Sequence, residues 1–179
     1  MNGMTNGVFL DDKRFWPIFG RAQVLDVPLY MHPAIPHPAV IEAYCKDYVE
    51  KHPGILRAGW GFTVETATQG IRLVLSGVFD AHPRLKIIGH LGEGLPFYLW
   101  RISHGLRGSD GGKSFRDTFR EHFHVTASGF FPDPALLCCV MEMGIDRILF
   151  SDDYPFVDNP PATKWTEPCP CAPRTTRNF

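Results

Sequence analysis

The sequence lacks any apolar run long enough to cross a membrane, and it lacks an excess of either charge. It holds 18 lysines and arginines against 19 aspartates and glutamates in 179 residues, a net charge of −1. Membrane spans need about 18 consecutive apolar residues, and nucleic-acid-binding proteins carry a basic excess. We therefore expect no nucleic-acid partner and no membrane partner. The opening MNGMTNGVFLDDKR has neither region of a secretory signal, which predicts a cytoplasmic protein.

Cysteine is scarce, and its spacing fits neither disulfides nor a cysteine zinc site. The five cysteines form an odd number, which argues against a disulfide framework. Cys138 and Cys139 lie in an apolar helical stretch, and Cys169 and Cys171 lie in a proline-rich tail. A glycine-rich phosphate loop is also missing, because GHLGEG does not have the G-x-G-x-x-G spacing. These absences exclude a disulfide-rich domain and disfavour a dinucleotide-binding fold.

The chain does contain a regular alternation of apolar strand-like and amphipathic helical segments. With 44% hydrophobic residues, it is long enough for one domain with its own core. The pattern predicts strands over residues 24–32, 84–90, 123–129 and 146–153, and helices over 39–52, 62–83, 95–106, 114–122 and 133–144. Such alternation is typical of a parallel α/β fold. We expect an ordered domain over residues 1–165 and a divergent, disordered tail over 166–179.

Each predicted strand ends in a polar residue, namely His32, His90, Ser128 or Asp153. The carboxyl ends of parallel strands are where α/β barrels and doubly wound sheets build their sites. The types and positions of these side chains predict a divalent metal site for zinc or manganese with His32, His90 and Asp153 near it. Because neighbouring residues of a strand point to opposite faces, only one carboxylate of the pair Asp152 and Asp153 can serve.

Two further residues follow the second histidine. Glu93 lies three residues after His90, close enough to orient its imidazole or relay a proton. Arg101 can clamp a substrate carboxylate with its planar guanidinium. Structural roles stay open for each: His32 as a half-buried turn residue, His90 as a core histidine, Glu93 as an acid at a helix N-terminus, and Arg101 as a surface residue.

Four segments resemble the amidohydrolase-related family of metal-dependent decarboxylases. They are LYMHPAIPHP, the long stretch containing GHLGEGLPFYLWRI, HVTASGF and DRILFSDDYPF. The likeness is strongest to the γ-resorcylate, 5-carboxyvanillate and 2,3-dihydroxybenzoate decarboxylases. It implies a (β/α)8 barrel of which this chain supplies the C-terminal half, strands five to eight. Half a barrel leaves two sheet edges and an apolar sheet face uncovered, so we also expect a homo-oligomer.

The resemblance also implies roles for individual residues. His32 and Asp153 correspond to the metal ligands of the fifth and eighth strands, and Asp153 is in addition a proton donor to the aromatic ring. His90 and Glu93 correspond to the catalytic histidine and its partner, and Arg101 to the arginine that contacts substrate. The substrate is then a small aromatic carboxylic acid, which loses carbon dioxide without oxidation.

Three functional hypotheses follow. The first is a non-oxidative decarboxylase, here in a truncated form with little activity by itself. The second is a metal-dependent hydrolase, because a metal-activated water on the same scaffold cleaves amides and lactones. The third is an inactive chain that acts only as an association module, because the family's E-x-H or H-x-H ligand motif is not found.

Overall fold

A four-stranded parallel sheet forms the centre of the fold. The computed structural model describes residues 1–106, 112–129 and 132–166. The strands lie in the order β1-β2-β3-β4, so each pairs with the next along the chain. Their bounds are Leu29–Met31 (β1), Ile87–Gly89 (β2), Phe123–Thr126 (β3) and Ile148–Leu149 (β4). The predicted parallel arrangement is confirmed.

Helices connect the strands. Their bounds are Trp16–Leu25 (α1), Pro38–Val40 (α2), Lys46–Val49 (α3), Gly61–Leu75 (α4), Val78–Ala81 (α5), Leu95–Gly105 (α6), Phe115–His122 (α7), Asp133–Met143 (α8) and Asn159–Thr166 (α9). A π-helical turn, Ile41–Cys45, joins α2 to α3. Proline stands in the first turn of α1, α6 and α8, where a missing N–H costs no helical hydrogen bond.

The strands and one helix differ from the sequence-based prediction. A strand was predicted over residues 24–32, but only Leu29–Met31 of this segment joins the sheet. Its first residues are the end of helix α1, which was not predicted. Between them, Asp26 turns the chain in the left-handed region at φ 51°. The helix predicted over 62–83 is broken, because Gly77 at φ 79° separates α4 from α5. Local periodicity did not reveal either turn.

The register decides which side chains share a face of the sheet. Leu29 pairs with Ile87, which pairs with Phe123, and Val125 pairs with Ile148. These residues, with Met31, face the helices and join a core that includes Phe19, Leu73, Leu99 and Phe119. Side chains alternate along a strand, so the intervening residues lie on the opposite face. This opposite face, called here the open face, carries Tyr30, Ile88, His124, Thr126 and Leu149.

The outer edge of β1 is paired. Asn2 forms a parallel bridge with His32, the His32 N–H donates to the Met1 carbonyl at 2.8 Å, and the Gly3 N–H donates to the His32 carbonyl at 3.0 Å. The prediction of two uncovered edges is therefore wrong for this side of the sheet. The prediction of an apolar uncovered face is also wrong at the strand ends, where Tyr30 and Thr126 bring hydroxyl groups to the open face.

The C-terminal part of the chain is described only as far as α9. The tail predicted to be disordered lies outside the described residues from position 167 onward. Within the described ranges, no helix combines the length and the apolar character that crossing a membrane requires.

Truncating the core leucine of α6 should strongly destabilise the fold. Leu99 is fully buried, whereas Leu75 at the end of α4 is 58% exposed. We expect Leu99→Ala to lower the free energy of unfolding by about 2–5 kcal/mol, because it removes buried methyl groups and leaves a cavity. Leu75→Ala is the matched control and should cost well under half as much. Equal losses in urea denaturation would contradict the assignment of the core.

The fold should also lose stability in mild acid through a buried histidine. His122 stacks on Phe79 with ring centroids 4.2 Å apart, and its Nδ1–H donates to the Leu85 carbonyl at 2.8 Å. Burial lowers the pKa of His122, as do Lys113 and Arg147, against opposing effects of the Leu85 carbonyl and Asp80. A histidine whose folded-state pKa lies below its unfolded value of about 6.5 stabilises the fold above that pH, and this contribution is lost as the pH falls.

We therefore expect the free energy of unfolding to fall as the pH is lowered below about 6.5. His122→Gln should be less stable at neutral pH and show a smaller further loss on acidification. His52→Gln, at an exposed position, should keep the wild-type dependence. If the free energy of unfolding of His122→Gln falls with decreasing pH as steeply as that of the wild type, His122 is not responsible for the loss of stability in acid.

Candidate active and metal-binding site

Two of the predicted site residues, His32 and His90, meet at the carboxyl end of the open face. His32 follows β1 and His90 follows β2, each one residue beyond its strand. Because Tyr30 pairs with Ile88, His32 and His90 continue the same alternation and lie side by side, with ring centroids 4.9 Å apart. Two histidines 58 positions apart in sequence (90 minus 32) are thus neighbours.

The backbone and ring of His32 are both held by main-chain groups. Its ring Nδ1 lies 2.9 Å from the Pro33 carbonyl, and because a carbonyl only accepts, Nδ1 carries the proton. The other nitrogen, Nε2, therefore bears a free lone pair, which is the form of histidine that binds a metal.

His90 is buried, and its surroundings favour the uncharged imidazole. Burial lowers the pKa of His90, the adjacent His32 lowers it further, and the carboxylate of Asp153 acts in the opposite direction. Asp153 therefore lies within electrostatic range of His90. A neutral imidazole beside a carboxylate can hold or transfer a proton without adding a positive charge to the site.

The two aspartates after β4 differ in their interactions. Leu149 pairs with Thr126 on the open face, and Ser151, two residues later, places its hydroxyl 3.0 Å from Ser128 Oγ. Asp153 acts electrostatically on His90. Asp152 instead accepts a hydrogen bond from the Asp153 N–H at 2.8 Å. Its second carboxylate oxygen is buried and has no hydrogen-bond partner among the described residues. Asp153 as the carboxylate of the site stays a prediction.

A hydroxyl cluster beside His90 was not predicted from the sequence. The Tyr30 hydroxyl lies 2.9 Å from His90 Nδ1, 3.3 Å from Ser128 Oγ and 3.4 Å from Thr126 Oγ1. Ser151 extends the cluster, with its Oγ 3.0 Å from Ser128 Oγ. Ser128 has a left-handed backbone at φ 42°, an uncommon conformation for a residue other than glycine, and the Ser151 hydroxyl accepts from its N–H at 3.1 Å.

The remaining two predicted residues, Glu93 and Arg101, lie on the segment that follows β2. Glu93 lies in a short 3-10 helix, Gly92–Gly94, directly before α6, and its side chain is outside the described part of the structure. Arg101 lies on α6 with an exposed side chain. Among the described residues, no hydrogen bond or ion pair engages its guanidinium.

A second unpredicted residue, Glu65, holds the segments that flank His32. Glu65 is 4% exposed on α4, and its carboxylate accepts from the N–H groups of Met4 at 2.8 Å and Ala34 at 3.2 Å. Gln69 donates to the same carboxylate at 2.8 Å and accepts from the Leu10 N–H at 3.0 Å. A side chain at Gly3 would collide with Glu65. The sequence signal was two polar residues, four positions apart, on the buried stripe of a helix.

The donor set fits part of a divalent metal site. The lone pair at His32 Nε2 and the carboxylate of Asp153 are ligands that both zinc and manganese accept. Within the ranges that the structure describes, no group of three or more histidine, cysteine, aspartate or glutamate side chains is placed to hold a metal ion. The two candidate ligands are therefore His32 and Asp153, and their role stays a prediction.

Comparison with known proteins gives a consistent picture. The profile of the amidohydrolase family matches residues 1–176. The γ-resorcylate decarboxylase of Rhizobium radiobacter is 42% identical over 165 residues, which are 88% of this chain and 49% of that protein. The chain spans about half the length of the curated relatives it matches.

Solved structures confirm the predicted fold class. The 2,6-dihydroxybenzoate decarboxylase from Rhizobium matches with a TM-score of 0.83 and 38% identity, over 96% of this chain and 55% of that one. A dihydroxybenzoic acid decarboxylase from a Polaromonas species, solved with manganese and the inhibitor 2-nitroresorcinol, matches with a TM-score of 0.81 and 37% identity, over 91% and 50%. The sheet and its helices thus correspond to half of a (β/α)8 barrel.

Removing the buried carboxylate of Glu65 should destabilise the fold and loosen the segment that carries His32. Glu65→Ala leaves the Met4 and Ala34 N–H groups without their acceptor, and we expect a loss of about 2–3 kcal/mol in the free energy of unfolding. Hydrogen exchange at Ala34 should accelerate. The control is Glu42→Ala, which removes an exposed ion pair with Lys46 and should cost less than about 1 kcal/mol. Unchanged exchange at Ala34 would contradict this role.

Proposed function

The chain belongs to the amidohydrolase family, and we propose that the protein is a metal-dependent, non-oxidative decarboxylase of a small aromatic carboxylic acid. The observation that supports this proposal is the contact between His32 and His90 at the strand ends, together with the electrostatic effect of Asp153 on His90. The names of the relatives support a dihydroxybenzoate as the substrate class.

A divalent metal would be held by His32 Nε2 and the Asp153 carboxylate. Manganese in the Polaromonas structure favours that metal, and zinc stays an alternative prediction because it accepts the same ligand types. When bound, the metal would act as a Lewis acid and template for the substrate oxygens.

The side chains of this chain would carry out the proton chemistry. In the proposed reaction the ring carbon that bears the carboxylate accepts a proton. The bond from that carbon to the carboxylate then breaks, its electron pair returns to the ring, and carbon dioxide leaves. Asp153 is the proposed proton donor: its carboxylate would first take up the proton of a substrate hydroxyl and then deliver it to the ring carbon, with His90 as a second proton carrier. Glu93 as the partner of His90 and Arg101 as a carboxylate clamp stay predictions.

Hydrolysis is the second candidate activity, because the matching family is described as amidohydrolases and a metal-activated water could attack an amide or a lactone. A panel of dihydroxybenzoates, amides and lactones separates the two reactions by their products. A chain that turns over neither class, with or without manganese, would support the third hypothesis, an inactive association module.

Self-association and a cytoplasmic location also stay predictions. Exposed apolar side chains support association, since Phe150, Tyr154 and Phe156 follow β4 and are 57%, 72% and 85% exposed. Large exposed apolar groups of this kind mark interaction surfaces.

Substituting either proton carrier should nearly abolish decarboxylation by the complete protein. We expect His90→Asn and Asp153→Asn each to lower kcat by at least about 10²-fold, the scale of losing an acid–base group. Activity should be lost with a chelator and return with manganese. His52→Gln, at an exposed position, is the control and should keep wild-type activity. Full decarboxylase activity of Asp153→Asn would contradict the site assignment.

A further inference from the structure

We propose that Tyr30 holds His90 in the tautomer whose proton is on Nε2, which makes Tyr30 a positioning residue of the site. The inference concerns the hydroxyl cluster formed by Tyr30, Thr126, Ser128 and Ser151. The tautomer follows from the direction of the hydrogen bond between Tyr30 and His90 and does not depend on the proposed function. Its use in catalysis rests on the proposed function.

Two backbone N–H groups donate to hydroxyls of the cluster. The Leu91 N–H donates to Thr126 Oγ1 at 3.1 Å, and the Ser128 N–H donates to Ser151 Oγ at 3.1 Å. A backbone N–H group can only donate, so the hydroxyl oxygens of Thr126 and Ser151 act as acceptors in these two hydrogen bonds. Each hydroxyl then has one proton of its own to place on a neighbouring oxygen or nitrogen.

One arrangement gives every hydroxyl proton an acceptor. Ser151 donates to Ser128 over 3.0 Å, and Ser128 donates to Thr126 over 2.6 Å. Thr126 then donates to the Tyr30 oxygen over 3.4 Å, and Tyr30 donates to His90 Nδ1 over 2.9 Å. In this arrangement Nδ1 is an acceptor, so a neutral His90 carries its proton on Nε2.

Hydrogen-bond geometry also allows the reverse direction, because Tyr30, Thr126 and Ser128 form a triangle. If His90 Nδ1–H donates to Tyr30, then Tyr30 can donate to Ser128 over 3.3 Å, Ser128 to Thr126, and Thr126 back to Tyr30. The chemistry of the two groups decides the direction of the 2.9 Å contact between Tyr30 and His90. The imidazole nitrogen, whose protonated form has a reference pKa of about 6.5, is a far stronger acceptor than a phenol oxygen, and the phenol O–H is the better donor. Tyr30 therefore donates to His90.

The two adjacent histidines therefore present opposite groups. His32 donates from Nδ1 to the Pro33 carbonyl and keeps a lone pair on Nε2, as a metal ligand requires. His90 keeps a lone pair on Nδ1 for Tyr30 and an N–H on Nε2. On the proposed function, this N–H is a donor for an anionic oxygen of the substrate, beside the nitrogen that binds the metal.

Nitrogen-15 NMR of the complete protein, labelled at histidine and treated with a chelator, tests the tautomer directly. The His90 signals are identified by their absence in His90→Gln. We expect a pyridine-type shift at Nδ1 and a pyrrole-type shift at Nε2. The opposite pattern, with the proton on Nδ1, would overturn the proposal. This measurement needs no variant of Tyr30 and no enzymatic activity.

Tyr30→Phe tests the role of the tyrosine. It should move the His90 nitrogen shifts toward a mixture of tautomers, while Tyr44→Phe, at a position that is 78% exposed, should leave them unchanged. For decarboxylation, Tyr30→Phe should lower kcat about tenfold, the scale of one hydrogen bond, with little change in KM. Unchanged His90 shifts in a folded Tyr30→Phe protein would overturn the role of Tyr30. Absence of decarboxylation in the wild type, with the expected shifts, would remove only the proposed function.

Discussion

The register of the four parallel strands is the constraint on which the rest of the site depends. Hydrogen bonding aligns Tyr30 with Ile88, Ile88 with His124, and Thr126 with Leu149. Since side chains alternate, this alignment sends one set of residues into the core and the other to the open face. A shift of a single residue in β2 would turn His90 toward the helices and Ile87 away from the core. The apolar core therefore enforces the geometry of the polar site.

The loops beyond the strands need support that the sheet does not supply, because ladder hydrogen bonds end with the strands. Around His32 this support comes from the paired segment that starts at Met1 and from the buried carboxylate of Glu65. Around β3 it comes from Thr126 and Ser151, whose hydroxyls accept from backbone N–H groups of the Leu91 and Ser128 turns. Both devices satisfy main-chain donors where the backbone leaves regular structure, as a buried loop requires.

Electrostatics separates the roles of residues that look alike in sequence. His122 and His90 are both buried with lowered pKa values. His122, however, stacks on Phe79 and bonds a core carbonyl, whereas His90 faces His32 and Asp153 at the strand ends. Burial alone therefore does not identify a site residue. The neighbours that the fold assembles around the imidazole distinguish a structural histidine from one available for proton transfer.

The sequence by itself determined the α/β class, the order of the strands, and the positions of His32, His90 and Asp153, because hydrophobic periodicity and polar strand ends are local features. It did not reveal the turns at Asp26 and Gly77, where a single residue redirects the chain. Only the tertiary structure brought Tyr30 to His90, Thr126 and Ser128, which lie 60, 96 and 98 positions away. Contacts across such separations depend on strand pairing and register, and no local pattern encodes them.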